Sequence, residues 1–568
     1  MEAPVSHIIS LFACSECKSR KLRCDRQKPA CGRCSKNGET CRYPTSRKRP
    51  VYNLQPKPKL SELEERLMEL EEKLRAKEAA EQRGAPHTPE SLPESSMSTT
   101  GRYEQLPPQS QIEELTNIYF SKLQVDMPMI HPQRYLASLY RPPHMQPPMC
   151  LQYAIMAVAA TTTSHYAATA EAYYRRARHY LEADEMREDG RHLITVAHAQ
   201  TWVLLSQFEA QNVWFARASM STSRAVRLCQ ILGLHVLDAQ HPGVNPSLPP
   251  PVDWVEAEER RRTFWAAFAL DRTTSTTGSW PALMDVNRIQ TRLPSSTEEF
   301  ERGIPTKGPT LNQALTYTHT TTKSSFAHRI VASHLFHECY SSSYADAEFG
   351  GIDNDKYWSD FHRLNDGIQV ACMRLPEHLQ CPPNVNDPTA VLVNLQLNTA
   401  TICLYRSASS HIRRSGMPPL IPIHTEHRVL PAAQAIVTIV ALVEDVTSRF
   451  RNPTTAFAAF MAGMAFLRDW STGSAGDPGS MDKTLALMDV MVDIGEENLV
   501  TASLAVHMAH ELYKTGIDPG AMAKVSKLIE KMDLGSPLLG KEDGESGAVV
   551  LCPLEARFGP KGPHDGVF

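Results

Sequence analysis

Cys14, Cys17, Cys24, Cys31, Cys34 and Cys41 follow the pattern Cys-x2-Cys-x6-Cys-x6-Cys-x2-Cys-x6-Cys, and the second half repeats the first at an offset of 17 residues. Each Cys-x-x-Cys pair can set two thiolates on one side of a turn that opens a short helix. The six-residue spacer covers that helix and lets the chain return a third sulfur to the same point. Three sulfurs per half leave a tetrahedral zinc one ligand short. Two zinc ions need eight ligand positions, and six thiolates fill them if one cysteine from each half bridges both metals. The expected cofactor is therefore zinc, two ions. A disulfide framework is the rival reading for six cysteines. The opening Met1-Glu2-Ala3-Pro4 lacks a basic segment followed by an apolar one, so no secretory signal is expected there, and disulfides are rare in reducing compartments. The other seven cysteines are scattered among apolar residues, as free structural thiols would be.

The residues around the cysteines point to a partner. Lys18-Ser19-Arg20-Lys21-Leu22-Arg23 puts four cations on less than two helical turns. From Cys14 to Arg49 twelve lysines and arginines face Glu16, Asp25 and Glu39, a formal +9; the whole chain carries −4, so the remainder carries −13. Two Zn2+ and six thiolates lower the window to about +7. Such asymmetry describes a basic polyanion-binding module attached to an acidic body. Without the cysteines the same run would read as a solvated charged face. On a metal-locked helix it suits a DNA major groove, where Lys and Arg reach guanine O6 and N7 while further cations neutralise phosphates.

The string from Ala13 to Asp25, ACSECKSRKLRCD, with Pro29 two residues before Cys31, resembles the fungal binuclear zinc-cluster transcription factors. The resemblance implies that Cys14 and Cys31 are the bridging sulfurs. It implies that Arg20 and Lys21 reach base edges of a CGG triplet in double-stranded DNA, and that Lys18 and Arg23 contact phosphate. Pro29 then matches the proline that turns the chain between the two halves.

A basic connector, residues 42–59, contains Arg47-Lys48-Arg49, which suits nuclear import or a phosphate-gripping arm. Leu60, Leu63, Leu67, Leu70 and Leu74 then fall at the spacing of a heptad seam. The g positions Lys59, Arg66 and Lys73 face the e positions Glu64, Glu71 and Glu78 of a parallel copy. A helix over 60–78 that complements itself in this way favours a homodimeric coiled coil. The alternative is an amphipathic helix packed on its own domain. Residues 79–111 read as a disordered linker, since prolines alternate with Ser, Thr, Glu and Gln there.

The expected fold class is mostly α: a small two-zinc six-cysteine cluster at 14–41, a short coiled coil, the linker, and a large all-α regulatory region. Helical spacing begins at Ile112, and candidates follow at 171–178, 199–208, 218–232, 254–273, 326–340, 390–407, 430–446, 454–470, 481–493 and 496–515. Gly233 sits in a C-cap position, and Asp253 with Glu256 forms a capping-box pattern. More than 400 residues are ample for a sizeable core, with room for two lobes. The apolar stretches 435–443 and 456–467 are too short to span a membrane. Glu171 to Arg178, Ile231 to His235 and Glu258 to Arg272 resemble the middle homology region of the same fungal factors over residues 112–300. That implies a regulatory domain, in some members responsive to a small-molecule effector. Residues 301–535 are expected to continue it, and 536–568 to form a flexible tail.

No His-Glu-x-x-His, Gly-x-Ser-x-Gly, phosphate-loop or dinucleotide motif occurs, so no catalytic residues are expected. His334, His337, Glu338 and Cys339 could imitate a metal site, but the set is incomplete and reads as a satisfied half-buried helix face. Asp271–Arg272 reads as a structural ion pair. The resemblance thus implies a nuclear regulator that recruits the transcription machinery, activating one biosynthetic (secondary-metabolite) or catabolic pathway. The alternatives are a repressor or heterodimer partner, or a metabolite-sensing or enzymatic helical protein with a zinc-cluster adaptor.

Overall fold

The structure, a computed structural model, describes residues 13–43 and 107–535, apart from 213, 240–247, 279, 317–321, 350–353, 416–419, 445–451, 473–477, 517 and 519. The chain divides into two compact units, 1–104 and 105–568. The import candidate at 47–49, the leucine seam at 60–74, most of the linker and the tail at 536–568 lie outside the described residues.

Among its described residues the first unit holds two one-turn helices, α1 (Ser15–Ser19) and α2 (Gly32–Lys36). Cys14 caps the first and Cys31 the second, each sulfur accepting the backbone N–H three residues on, at 3.4 Å. Beneath them the buried residues are Cys14, Cys17, Cys31 and Cys34. Four sulfurs in place of an aliphatic core cannot hold about 30 residues by burial alone, so a metal must supply the folding energy.

The second unit is built of helices, with no β-strand among its described residues. In order they are α3 (Gln109–Ile118), α4 (Pro132–Leu139), α5 (Met149–Ala160), α6 (Ala170–Met186), α7 (Val196–Gln211), α8 (Phe215–Ile231) and α9 (Trp254–Gly278). Then come the short α10 (Thr297–Arg302) and α11 (Leu311–Ala314), α12 (Ser325–Phe349), α13 (Asn354–Met373), α14 (Pro388–Arg414) and α15 (Leu420–Leu442). Last are α16 (Pro453–Thr472), α17 (Pro478–Gly495), α18 (Leu499–Lys514), α19 (Ala521–Lys524) and α20 (Ser526–Gly535). Helices close in sequence pack on each other, and α9 against α12 joins the earlier half to the later one. One buried apolar cluster runs from Ile112 to Leu528, so the body has a single continuous core rather than two lobes.

Local signals explain many of the boundaries. Glu256 N–H donates to Asp253 Oδ1 at 2.9 Å, and Glu256 Oε2 accepts from Val252 N–H at 2.8 Å, so the expected box at α9 closes one residue early. Gly233, with φ of 71°, ends α8 in the left-handed conformation that glycine adopts without strain. Helix α14 starts from Asp387 with Pro388 at its first position. Helix α5 is buried on every side from Cys150 to Ala160, which is why its residues show no polar face. Helix α3 begins at Gln109, inside the expected linker, because Pro108 is a legitimate helix entry. The expectations missed α13, whose apolar residues are diluted by Asp, Lys, His and Arg on its solvent side. No described helix is long and apolar enough to cross a membrane.

Candidate zinc centre and nucleic-acid interface

All six cysteines of the repeat are free thiols. Sulfur separations are 3.8 Å for Cys14–Cys31, Cys14–Cys34 and Cys17–Cys31, and 3.9 Å for Cys24–Cys14. Zn–S bonds of about 2.3 Å place the sulfurs of a tetrahedron about 3.8 Å apart, so the donor set fits zinc without rearrangement. The sulfurs of Cys14, Cys17, Cys24 and Cys31 lie within 4.8 Å of one another, and so do those of Cys14, Cys31, Cys34 and Cys41. Cys14 and Cys31 belong to both sets and are fully buried, whereas Cys24 and Cys41 are partly exposed. Three sulfurs per half thus become four around each of two points. The Cys34 N–H donating to its sulfur holds the Cys31 thiol below its ordinary value.

The repeat is structural as well as sequential. Ser15 N–H donates to Arg42 O at 2.8 Å, and Gly32 N–H, 17 residues on, donates to the Asp25 carboxylate at 2.8 Å. A Cβ at Gly32 would stand 2.6 Å from that carboxylate oxygen, so a larger residue there would displace the Asp25 side chain from this bond. Each short helix ends in a matching turn. Leu22 N–H reaches Cys17 O at 2.8 Å and Lys21 N–H reaches Lys18 O at 3.2 Å; in the second half Glu39 N–H reaches Cys34 O at 3.0 Å. The residue at the turn is left-handed in both halves, Lys21 with φ of 55° and Gly38 with φ of 66°. Gly38 occupies this conformation without strain. Lys21 does so at a cost of about 1 kcal/mol, and such strain concentrates at functional positions.

Lys18, Arg20, Lys21 and Arg23 are all exposed, gathered at and just beyond the C-terminal end of α1. Arg20 is not a free cation: its guanidinium meets Glu16 at 2.9 Å and Glu39 at 2.6 Å. The Glu16 pair was visible as an i,i+4 spacing, whereas Glu39 arrives only because the second half folds against the first. For the left-handed turn at Lys21 the one local signal in the sequence is Gly38 at the equivalent repeat position.

In the helical body the conspicuous polar side chains are structural. Glu258, on α9, accepts from Arg262 Nε at 3.0 Å and from the Ser295 amide and hydroxyl, each at 2.9 Å. Arg262 in turn donates to the carbonyls of Pro128, Ser295 and Ser296, and is fully buried. Asp271 accepts the backbone N–H groups of Leu283 and Met284, each at 3.0 Å, while Arg272 donates to Met284 O at 2.7 Å. The pair therefore clamps the segment after α9, as the structural reading expected. His334, His337 and Cys339 are buried rather than half-buried, and their donor atoms form none of the metal-competent clusters found among the described residues. The expectation that this face is fully satisfied is corrected at His334, whose Nδ1 has no hydrogen-bond partner and lies 4.0 Å from Glu338. A pocket of about 600 Å3 is lined by Arg134, Tyr135, Arg141, Gln200, Asp253 and Glu259, among others. Burial pushes the Glu259 carboxyl up to about 7.

Residues 12–50 match the fungal Zn(2)-Cys(6) binuclear cluster domain, and residues 116–352 match the fungal specific transcription factor domain. Among curated proteins, the azaphilone cluster-specific transcription factor of Aspergillus niger is 30% identical over 408 residues, covering 69% of this chain and 85% of the relative. The citrinin biosynthesis transcriptional activator of Monascus ruber is 27% identical over 480 residues, covering 75% and 91% respectively. The abscisic acid cluster transcription factor of Leptosphaeria maculans is 26% identical over 485 residues, covering 70% and 80%.

Proposed function

The chain belongs to the fungal Zn(2)-Cys(6) transcription factors, a DNA-binding regulator that carries two zinc ions, and from that premise we propose that it activates one secondary-metabolite gene cluster. The names of its relatives, which concern citrinin, azaphilone and abscisic acid, support the choice of a biosynthetic over a catabolic target. In this reading Cys14 and Cys31 bridge two zincs, Cys17 and Cys24 complete one tetrahedron, and Cys34 and Cys41 complete the other. Lys21, held left-handed at the exposed end of α1, is the base reader at a CGG-type triplet. Lys18 and Arg23 grip phosphate. Arg20 reads a base only by exchanging Glu16 and Glu39 for DNA, and otherwise steers the second half of the cluster onto the first.

A homodimer through Leu60, Leu63, Leu67, Leu70 and Leu74 presents two such heads, entry to the nucleus uses Arg47-Lys48-Arg49, and the helical body modulates contact with the transcription machinery. The body is regulatory rather than catalytic, a reading supported by the way Glu258, Arg262, Asp271 and Arg272 bond to backbone. The pocket around Glu259 is where a small-molecule effector would act. The single observation carrying this reading is the pair of overlapping sulfur tetrads beside a strained, exposed lysine.

The test is a genome-wide binding profile of the full chain, combined with transcript levels after its deletion. Peaks over paired CGG triplets in one contiguous gene set, with those transcripts lost, are expected. Transcripts that rise on deletion would make the protein a repressor, and scattered peaks without triplets would refute the assignment of Lys21.

A further inference from the structure

The helical body holds a third group of metal-ligand side chains that plays no part in the DNA-reading unit. Cys150 in the first turn of α5, Asp184 near the end of α6 and His198 in the first turn of α7 bring one donor atom each within 4.8 Å of the others. Cys150 is fully buried and His198 nearly so, while the Asp184 side chain is 29% exposed and gives the group its one solvent-facing side.

We propose that Cys150, Asp184 and His198 form a zinc site, with water as fourth ligand on the Asp184 side. Thiolate, imidazole and carboxylate are all zinc donors. His198 Nε2 stands 3.0 Å from Asp184 Oδ2. Tetrahedral zinc, with bonds of about 2.0–2.2 Å to nitrogen and oxygen, sets those atoms about 3.3 Å apart. The pair has to open by only a few tenths of an ångström. The supporting hydroxyls are in place. Thr195 Oγ1 lies 2.7 Å from His198 Nδ1, and Thr201 Oγ1 lies 3.6 Å from Cys150 Sγ. A ligating imidazole needs such a partner on its other nitrogen to fix tautomer and orientation.

Charge balances as well. Zn2+ with one thiolate and one carboxylate is neutral, so the buried centre leaves no net charge to be solvated. On binding, the Cys150 thiol proton is released to solvent. The imidazole proton moves from Nε2, where it serves Asp184 in the metal-free state, to Nδ1, where Thr195 accepts it. The site ties together three helices whose connections cross the sequence from residue 150 to 198, and so couples the folding of this part of the body to zinc.

The test separates this site from the cluster. All six cysteines of the repeat are changed to serine in the full chain, which is equilibrated with zinc buffered at nanomolar free concentration and measured by elemental mass spectrometry. One zinc per chain, lost on adding Cys150→Ser or His198→Gln, is expected, with the unfolding midpoint of the helices raised by zinc only while Cys150 is present. No zinc in the six-serine chain, or one that survives Cys150→Ser, overturns the proposal. Should either further substitution prevent folding, Thr195→Ala should still fold and weaken zinc binding about 10–100-fold, and unchanged affinity would also overturn it. None of these outcomes bears on DNA recognition.

Discussion

At Lys21 the left-handed backbone and the proposed base-reading role make opposite demands on one residue. The repeat gives its own control, because Gly38 occupies the equivalent left-handed turn without strain. Lys21→Gly should therefore stabilise the cluster by about 1 kcal/mol, read as greater resistance to chelator or heat. The same change should cost about 1–3 kcal/mol, roughly 5- to 150-fold, in binding a CGG triplet measured by fluorescence anisotropy. Stability and binding moving together would mean that the lysine serves the fold. Glu259 offers a second test at this scale. Its carboxyl sits against Gln200 Nε2 at 3.3 Å, and burial raises it from 4.5 to about 7. A raised acid binds its proton more tightly in the folded state. Its stabilisation is full below about pH 4.5 and is lost as pH rises to about 7. Denaturant midpoints between pH 5 and pH 8 should fall less in Glu259→Gln than in the parent chain. An identical pH slope in the two would place the carboxylate in water.

Helix α9 joins the earlier half of the body to the later one. It packs on α7 and α8 on one side and on α12 on the other. Glu258 and Arg262 in its charged stretch are drawn inward because they pair with each other and with fixed backbone groups. Removing one member of such a buried set leaves the other uncompensated, which typically costs 3–5 kcal/mol. Within the run Glu258-Glu259-Arg260-Arg261-Arg262, the burial of Glu258 and Arg262 follows from where Ser295 and Ser296 meet them. The leucine seam at 60–74 poses the opposite problem, since its pattern is legible while its partner is not. Changing Lys59, Arg66 and Lys73 together to Glu turns pairs worth about 0.2–0.5 kcal/mol each into repulsions. Binding to a two-triplet site should then fall steeply while single-triplet binding barely changes. Unchanged two-triplet affinity in the triple variant would mean that the seam packs on its own chain.

At the scale of the whole molecule the two units differ in what holds them. The body has a continuous apolar core from Ile112 to Leu528, and the cluster has sulfur. A chelator that strips the six-cysteine centre should abolish DNA binding while far-ultraviolet circular dichroism keeps most of its helical signal. Parallel loss of both would show that the units fold as one. The charge split, +9 between residues 14 and 49 against −13 elsewhere, adds that DNA affinity should be strongly salt-dependent and confined to the basic unit.

The zinc chemistry, the basic unit and the all-α class are legible in the chain before it folds. Each of these rests on local spacing, with cysteines every few residues, cations between them and apolar residues at helical period. Most of the long helices are legible for the same reason, and α13 is not, because a surface helix with a diluted apolar face has a weak period. The tertiary structure decided which sulfurs are shared, since Cys14 and Cys31 become common to both tetrads only when the two halves face each other. It decided that Arg20 is engaged by Glu39, that Glu258 and Arg262 are buried, and that Cys150, Asp184 and His198 converge from three helices. These are contacts between residues far apart in the chain, and no local period encodes them.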